Sequence, residues 1–476
     1  MLIKINEKIV LLVMTGIGFY FAGCKKFVQV PPPSTQIVAA SVFGDNAAAT
    51  SALMGIYIAM QPESFSMSQH AGLLSDELTS ASTSLDVQPY YFNSLHASSN
   101  IFYLGAWRNA YSYIYQVNAI IEGIRNTAGM SPLVEQQLTG EAEFLRAFWY
   151  FYLVNSYGDV PLAISTDYTT NELLRRTNKD DVYQQIITDL KEAKTLLNTN
   201  YVDGSDTAIS QDRIRPNKAV ASALLARAYL FTKDYAKAEL ESDSLMQNGD
   251  YQLVSDLNQV FLINSLETIW QLPVPSLSTY STVDGNSYIL TSAPSGGDAT
   301  ARTSTISSFL WNSFEPNDQR KQKWIGSVVT SNPTDTFYFP FKYKSNSLPV
   351  TEYTMMLRLA EQYLIHAESL VRQNKNLDLA ANDLNAIRRR AGLNDYAGPL
   401  DSDSLLTAIL HERQTELFTE WGHRWFDLIR TGNINQVMNI VNPQKGGAGW
   451  NQDWASFPIP QSEIIKDHNL VQNPGY

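Results

Sequence analysis

The chain has 476 residues, 44% hydrophobic and 17% charged, which is enough to bury one large core or two abutting lobes and too apolar for a disordered protein. Its net charge of −12 and isoelectric point near 5.0 argue against nucleic acid or anionic lipid as a partner, because like charges repel. Cys24 is the single cysteine, so neither an intramolecular disulfide nor a cysteine-based metal cluster can form.

Lys4 and Lys8 precede Ile9 to Phe21, an apolar run too short to span a bilayer and of the right length for a signal-peptide core. Ala22 and Gly23 then lead into Cys24 in the manner of a bacterial lipobox, where the cysteine is lipidated and becomes the first mature residue. Phe21 stands where leucine is usual; the alternative is an ordinary secretory signal with an incidental cysteine. We therefore expect a signal peptide over 1–23, and a lipid anchor on Cys24 that attaches the chain to a membrane. Residues 24–36, with Pro31 to Pro33, read as an extended tether.

Residues 37–248 accumulate helical patterns. Ala39 to Met60 predicts a first helix interrupted at Gly44 and Asp45, Leu73 to Leu78 a short segment, and Thr79 to Asn100 a loop carrying Tyr90 and Tyr91. Phe102 to Arg125 places Trp107, Tyr111, Ile114 and Ile121 at helical spacing. The run around Gly140 to Leu162 predicts a long helix over 132–157. Ser131 and Pro132 suit its start, and Gly158 and Pro161 its stop. Aromatics cover nearly its whole circumference, so other helices must wrap it. Glu143 and Arg146 sit at pair spacing within it. Asp180 to Leu197 predicts another helix, and Asn217 to Gln247 a helix pair turning at Lys233 and Asp234, with Leu225, Ala226, Tyr229 and Ala238 at tetratricopeptide positions.

Residues 249–476 begin with a loop-rich stretch to about residue 350, with strand-like runs at Glu267 to Leu272 and Phe337 to Tyr343. Long loops this aromatic are ordered and usually functional. Helical patterns return at Met355 to Gln373, Leu377 to Arg390, and Ser404 to Gly432. Glu412, Glu416 and Glu420 share one face there, read as an ion-pair network with Arg413 and Arg424 as available partners; a metal-binding carboxylate row is the alternative. The expected fold is mainly α: a tetratricopeptide-like superhelical scaffold with an irregular, loop-rich region carrying short strands.

GEAEFLRAFWYFYLVNSYGDVPL at 140–162, the helix pair at 216–238, LRLAEQYLIHAESL at 357–370, LNAIRRRAGL at 384–393, ERQTELFTEWGHRWFDLIRTG at 412–432 and the terminal QNPGY together resemble the SusD/RagB outer-membrane lipoproteins of Bacteroidetes. The resemblance runs from the lipobox to the last residue in the family's order. It implies a lipid-anchored protein of the outer membrane, facing outward, that acts as the lid of a SusC-like TonB-dependent barrel. It also implies capture of oligosaccharide or polysaccharide, or of peptide in the RagB branch, without catalysis. A scaffold whose only ligand is the barrel is the third reading.

Motifs for chemistry are wanting. His411-Glu412 begins a zincin-like string, but Thr415 stands where the second histidine belongs. No histidine pair has metal-ligand spacing, and no phosphate-binding or nucleophile-elbow motif occurs. We expect no catalytic residue, no metal and no cofactor; Asp203 and Asp206 lack most of a calcium loop. For a glycan platform, where sugar C–H faces stack on rings, the candidates are Trp311, Trp324, Tyr280, Tyr288, Tyr90 and Tyr91, with Asp76 and Asn93 for hydroxyl contacts. Trp107, Trp149, Trp421 and Trp425 lie within helical patterns and read as core.

Overall fold

The computed structural model describes residues 42–98, 102–294, 296, 302–330, 335–447 and 449–476. The expected signal segment 1–23, Cys24 and the tether 24–36 lie outside the described residues. The fold is mainly helical, with short two-stranded sheets.

Helix α1 (Asn46–Leu74) starts where Asp45 accepts a hydrogen bond from the Ala48 amide at 2.9 Å, and it continues through Pro62 for 29 residues. It is therefore longer than the sequence pattern predicts, and the segment at 73–78 is its end plus a strand. Helices α2 (Phe102–Asn126), α3 (Pro132–Tyr157) and α4 (Lys179–Leu196) follow, with α3 packed between the other two. As expected from its composition, α3 is buried on all sides from Phe144 to Tyr157. Gly158 ends it at φ +73°, a conformation open to glycine. The pair Glu143–Arg146 does not form. Arg146 instead grips Asp189 of α4 at 2.8 and 2.7 Å, because a bidentate contact across helices satisfies the buried guanidinium better than a neighbour on its own helix.

The predicted helix pair is α5 (Lys218–Phe231) and α6 (Tyr235–Met246). Asn217 and Asp234 cap their starts, and Lys233 makes the turn at φ +62°. Helix α6 then packs on α7 (Leu359–Arg372), more than a hundred residues further along the chain, and α7 on α8 (Leu377–Arg390) and α9 (Ser402–Glu416). The loop-rich stretch is thus an excursion from a continuous stack of helices. Asp401 caps α9, and Gly422 at φ +74° separates it from α10 (His423–Arg430); α11 (Ile434–Gln444) follows.

The strands are β1 (Leu78–Ser80), β2 (Val160–Pro161), β3 (Arg176–Thr177), β4 (Thr268–Leu272), β5 (Ser304–Ile306), β6 (Ile325–Val329), β7 (Thr336–Pro340) and β8 (Thr354–Arg358), paired antiparallel as β1–β5, β2–β3, β4–β8 and β6–β7. Strand β8 occupies what helical spacing predicts to be the first turn of α7. Pairing with β4, in a register that sets Thr268 opposite Arg358, outweighs local preference.

The carboxylates of Glu412, Glu416 and Glu420 do form a buried ion network, but Arg413 and Arg424 are not their partners. Arg358 reaches Glu416 at 2.6 Å, Glu420 at 2.7 Å and Glu267 at 2.8 Å, while Arg320 reaches Glu412 at 2.6 Å and Glu416 at 3.0 Å. Arg390 and Lys342 complete the cluster. Arg413 pairs with Asp427 at 2.7 Å and Arg424 with Asp76 at 2.7 Å. Asp206, considered for calcium, is occupied by Arg215 and by the Thr50 hydroxyl.

Candidate functional site

Three of the predicted platform rings lie inside the protein. Trp324 is 0% exposed; its indole N–H donates to the Leu257 carbonyl at 2.9 Å, and the Lys342 ammonium sits 4.8 Å from its ring. Tyr90 stacks on His70 at 4.0 Å, and Tyr288 packs edge-on against Phe65 at 5.1 Å, both within the core. A ring enclosed this way offers no face to a ligand. Trp107, Trp149, Trp421 and Trp425 are buried, as their helical patterns indicate.

The two polar candidates are also enclosed. Asp76 accepts hydrogen bonds from Arg424 at 2.8 and 2.7 Å and from Gln414 at 3.2 Å. Burial pushes its carboxyl up, and the Arg424 charge more than reverses this, so it lies below the usual carboxylate range. Asn93 donates to Asn442 at 3.0 Å in the interior. Both side chains are spent on holding the fold.

Trp311, Tyr280 and Tyr91 remain half-exposed. Trp311 rides on the short helix Ser308–Ser313, which begins where the Ser307 hydroxyl accepts from the Leu310 amide at 3.1 Å. The same hydroxyl donates to the Asp76 carbonyl, the Ser307 amide donates to the Glu77 carbonyl at 2.9 Å, and β5 pairs with β1 just before it. At the other end, the His411 ring meets the Ser313 carbonyl at 2.7 Å. The segment after α1 and helix α9 therefore fix the position of Trp311. Asp76 belongs to this site as a support beneath it.

The face of Trp311 lies against Tyr338 of β7, with ring centroids 4.0 Å apart and planes 29° from parallel. Tyr338, also half-exposed, stands opposite Ser327 in the β6–β7 ladder. Lys321 brings its ammonium to 4.0 Å from the Trp311 ring centre. Tyr338 and Lys321 escape sequence reasoning. The strand-like run Phe337–Phe339 implies only that neighbouring side chains point to opposite faces.

Just before Asp76 in the chain, the carbonyls of Leu73, Leu74 and Ser75 accept hydrogen bonds from Lys445, closing the end of α1, and the Lys445 ammonium lies 5.6 Å from the Tyr91 ring. Burial pulls the Lys445 ammonium down to about 7, against the attraction of Asp76. Adjacent Glu77 is pushed up to about 8, by burial first and by the charge of Asp76 second. Cavities also lie away from this stack. One of 230 Å³ is walled by Trp149, Tyr157, Trp421 and Phe457, and one of 330 Å³ runs along α2 beside Tyr111 and Tyr115. Among the described residues no group of three or more histidine, cysteine or acidic side chains is placed to hold a metal, and no helix is long and apolar enough to cross a membrane.

The fold and the site define a tetratricopeptide-like scaffold that presents an aromatic stack on its loops. A family model described as "SusD family" matches residues 329–476, and one described as "Starch-binding associating with outer membrane" matches residues 29–230. SusD-like protein P2 of Formosa agariphila is 29% identical over 425 residues, covering 78% of this chain and 80% of that protein. The starch-binding protein SusD of Bacteroides thetaiotaomicron is 33% identical over 144 residues, which are 28% of this chain and 24% of that protein. A crystal structure of a SusD superfamily protein from Bacteroides vulgatus superposes with a TM-score of 0.77 at 22% identity, covering 91% of this chain and 99% of that one. The chain belongs to the SusD/RagB family.

Proposed function

We propose that this chain is a surface glycan-binding protein that captures oligosaccharide or polysaccharide without altering it and hands it to a SusC-like TonB-dependent barrel. In this reading Cys24 carries the lipid that holds the protein on the outer face of the outer membrane. The observation that carries the ligand class is the half-exposed Trp311–Tyr338 stack, on a family scaffold with a starch-binding relative. Sugar rings present C–H faces that pack on indole and phenol rings, while their hydroxyls need hydrogen-bond partners. The exposed residues Asn312, next to Trp311 in the chain, and Ser327, opposite Tyr338 in the ladder, are our candidates to supply them. Tyr280 and Tyr91 serve as outlying contacts for a longer chain.

A glycan array and a peptide pull-down on the purified protein test this reading. Glycan binding that falls at least about tenfold in both Trp311→Ala and Tyr338→Ala, with melting temperature retained, is the expected result. Glycan binding unchanged in both variants overturns the site. Retention of peptides with no glycan bound overturns the ligand class and favours a RagB-type lid.

A further inference from the structure

Trp311 has one face against Tyr338 at 4.0 Å, and the Lys321 ammonium lies 4.0 Å from the same ring centre. A phenol ring and an ammonium at the same height cannot share a face, so Lys321 covers the other one. Asp318 attracts this ammonium from nearby, but neither of the acids nearest in sequence pairs with it directly. Asp318 is turned inward to Arg320 at 2.8 Å, and Glu315 is held by Arg388 at 2.6 Å. Lys323 lies two residues on and is exposed. The Lys344 ammonium donates to the carbonyls of Lys323 and Phe341, which brings a third cation beside it. Glu352 and Asp256 face Lys344. In a chain with 47 acidic and 35 basic side chains, the cation that meets the aromatic stack is Lys321, without an ion-pair partner among the described residues.

From this juxtaposition we infer that the Trp311 site selects acidic glycans, those bearing carboxylate or sulfate groups, with Lys321 as both cover and reader of the bound sugar. The inference rests on the glycan reading above and narrows it. A cation over a half-exposed ring is weakly held, so a sugar that stacks on Trp311 can push the ammonium aside. With a neutral sugar the displaced charge returns to water and the ring contact is lost for nothing. With an acidic sugar the ammonium swings onto the anionic substituent and forms a charge-assisted hydrogen bond.

Affinity electrophoresis of the purified protein against a panel of neutral polysaccharides, polygalacturonate and dextran sulfate tests the proposal. The last two separate carboxylate from sulfate. We expect retardation strongest in an acidic gel, falling as sodium chloride rises, reduced about fivefold or more in Lys321→Gln and abolished in Trp311→Ala. Binding confined to neutral polysaccharides, or strengthened in Lys321→Gln for every polymer alike, overturns the acidic preference and leaves the glycan reading standing. Acidic retardation untouched by Trp311→Ala also overturns it, since loose attraction to surface lysines then suffices. No retardation by any polysaccharide sinks the glycan reading and the inference together.

Discussion

Arg358 and Glu416 meet at 2.6 Å with both side chains out of water. The pair joins β8 to the end of α9, and through Glu420 and Glu267 it ties the C-terminal helices to the excursion between α6 and α7. Removing one partner strands the other charges in a medium that cannot solvate them.

Arg358→Met is therefore expected to lower stability by about 3–5 kcal/mol, read as a drop in the urea midpoint. Arg358→Lys recovers little, because one ammonium cannot reproduce the fork that meets three carboxylates. Burial pushes Glu416 and Glu420 up, and the surrounding cations more than reverse it, so both titrate below the usual range. Such groups add stability above the unfolded value of about 4.3, and the contribution is lost as pH falls through the lower folded value. Acid unfolding is expected to begin at higher pH in Arg358→Met than in the wild type.

Glu77 behaves in the opposite sense. Its carboxyl is pushed up to about 8, and one of its oxygens has no hydrogen-bond partner. The folded state therefore holds a proton that the unfolded chain has released, so stability is full below about pH 4.3 and declines as pH rises toward 8, by at most about 1.4 kcal/mol per pH unit. Asp284, pushed up to about 7 by burial, adds in the same direction. Glu77→Gln removes the first contribution. Melting curves from pH 5 to 9 are expected to show the variant gaining on the wild type as pH rises; parallel curves refute the assignment.

Trp324 and Trp311 are thirteen positions apart and should answer differently to the same substitution. Trp324→Ala empties a fully buried site beneath three cations and is expected to cost about 3–5 kcal/mol, visible as a lower melting temperature. Trp311→Ala removes a half-exposed ring and leaves melting nearly unchanged while weakening ligand binding. A stable Trp324→Ala protein that had lost only ligand would contradict the buried placement.

Cys24→Ala tests the anchor. Expressed in a bacterium that processes lipoproteins, the wild type is expected in the membrane fraction with an attached acyl group, and the variant in the soluble fraction or unprocessed. Equal membrane recovery with no acyl group on the wild type would mean the cysteine is incidental.

Where a helix begins and ends is decided by groups within a turn of one another, and this much is legible in the sequence. Pro132 and Gly158 bracket α3, and Asn217, Asp234 and Asp401 cap α5, α6 and α9. The burial of α3 also follows from its own residues, because a helix aromatic all round can only be wrapped. Which loop aromatics face water depends instead on chain brought from far away. Trp324 is covered by Leu257, Phe261 and Phe418, whereas Trp311 meets Tyr338 at the surface, and both look alike in their local sequence. The same holds for charge. The four-residue spacing of Glu412, Glu416 and Glu420 announces a network, but Arg358, Arg320, Arg390 and Lys342 become its partners only through tertiary packing. A buried carboxylate takes the cation that shares its desolvated space rather than the one nearest along the chain.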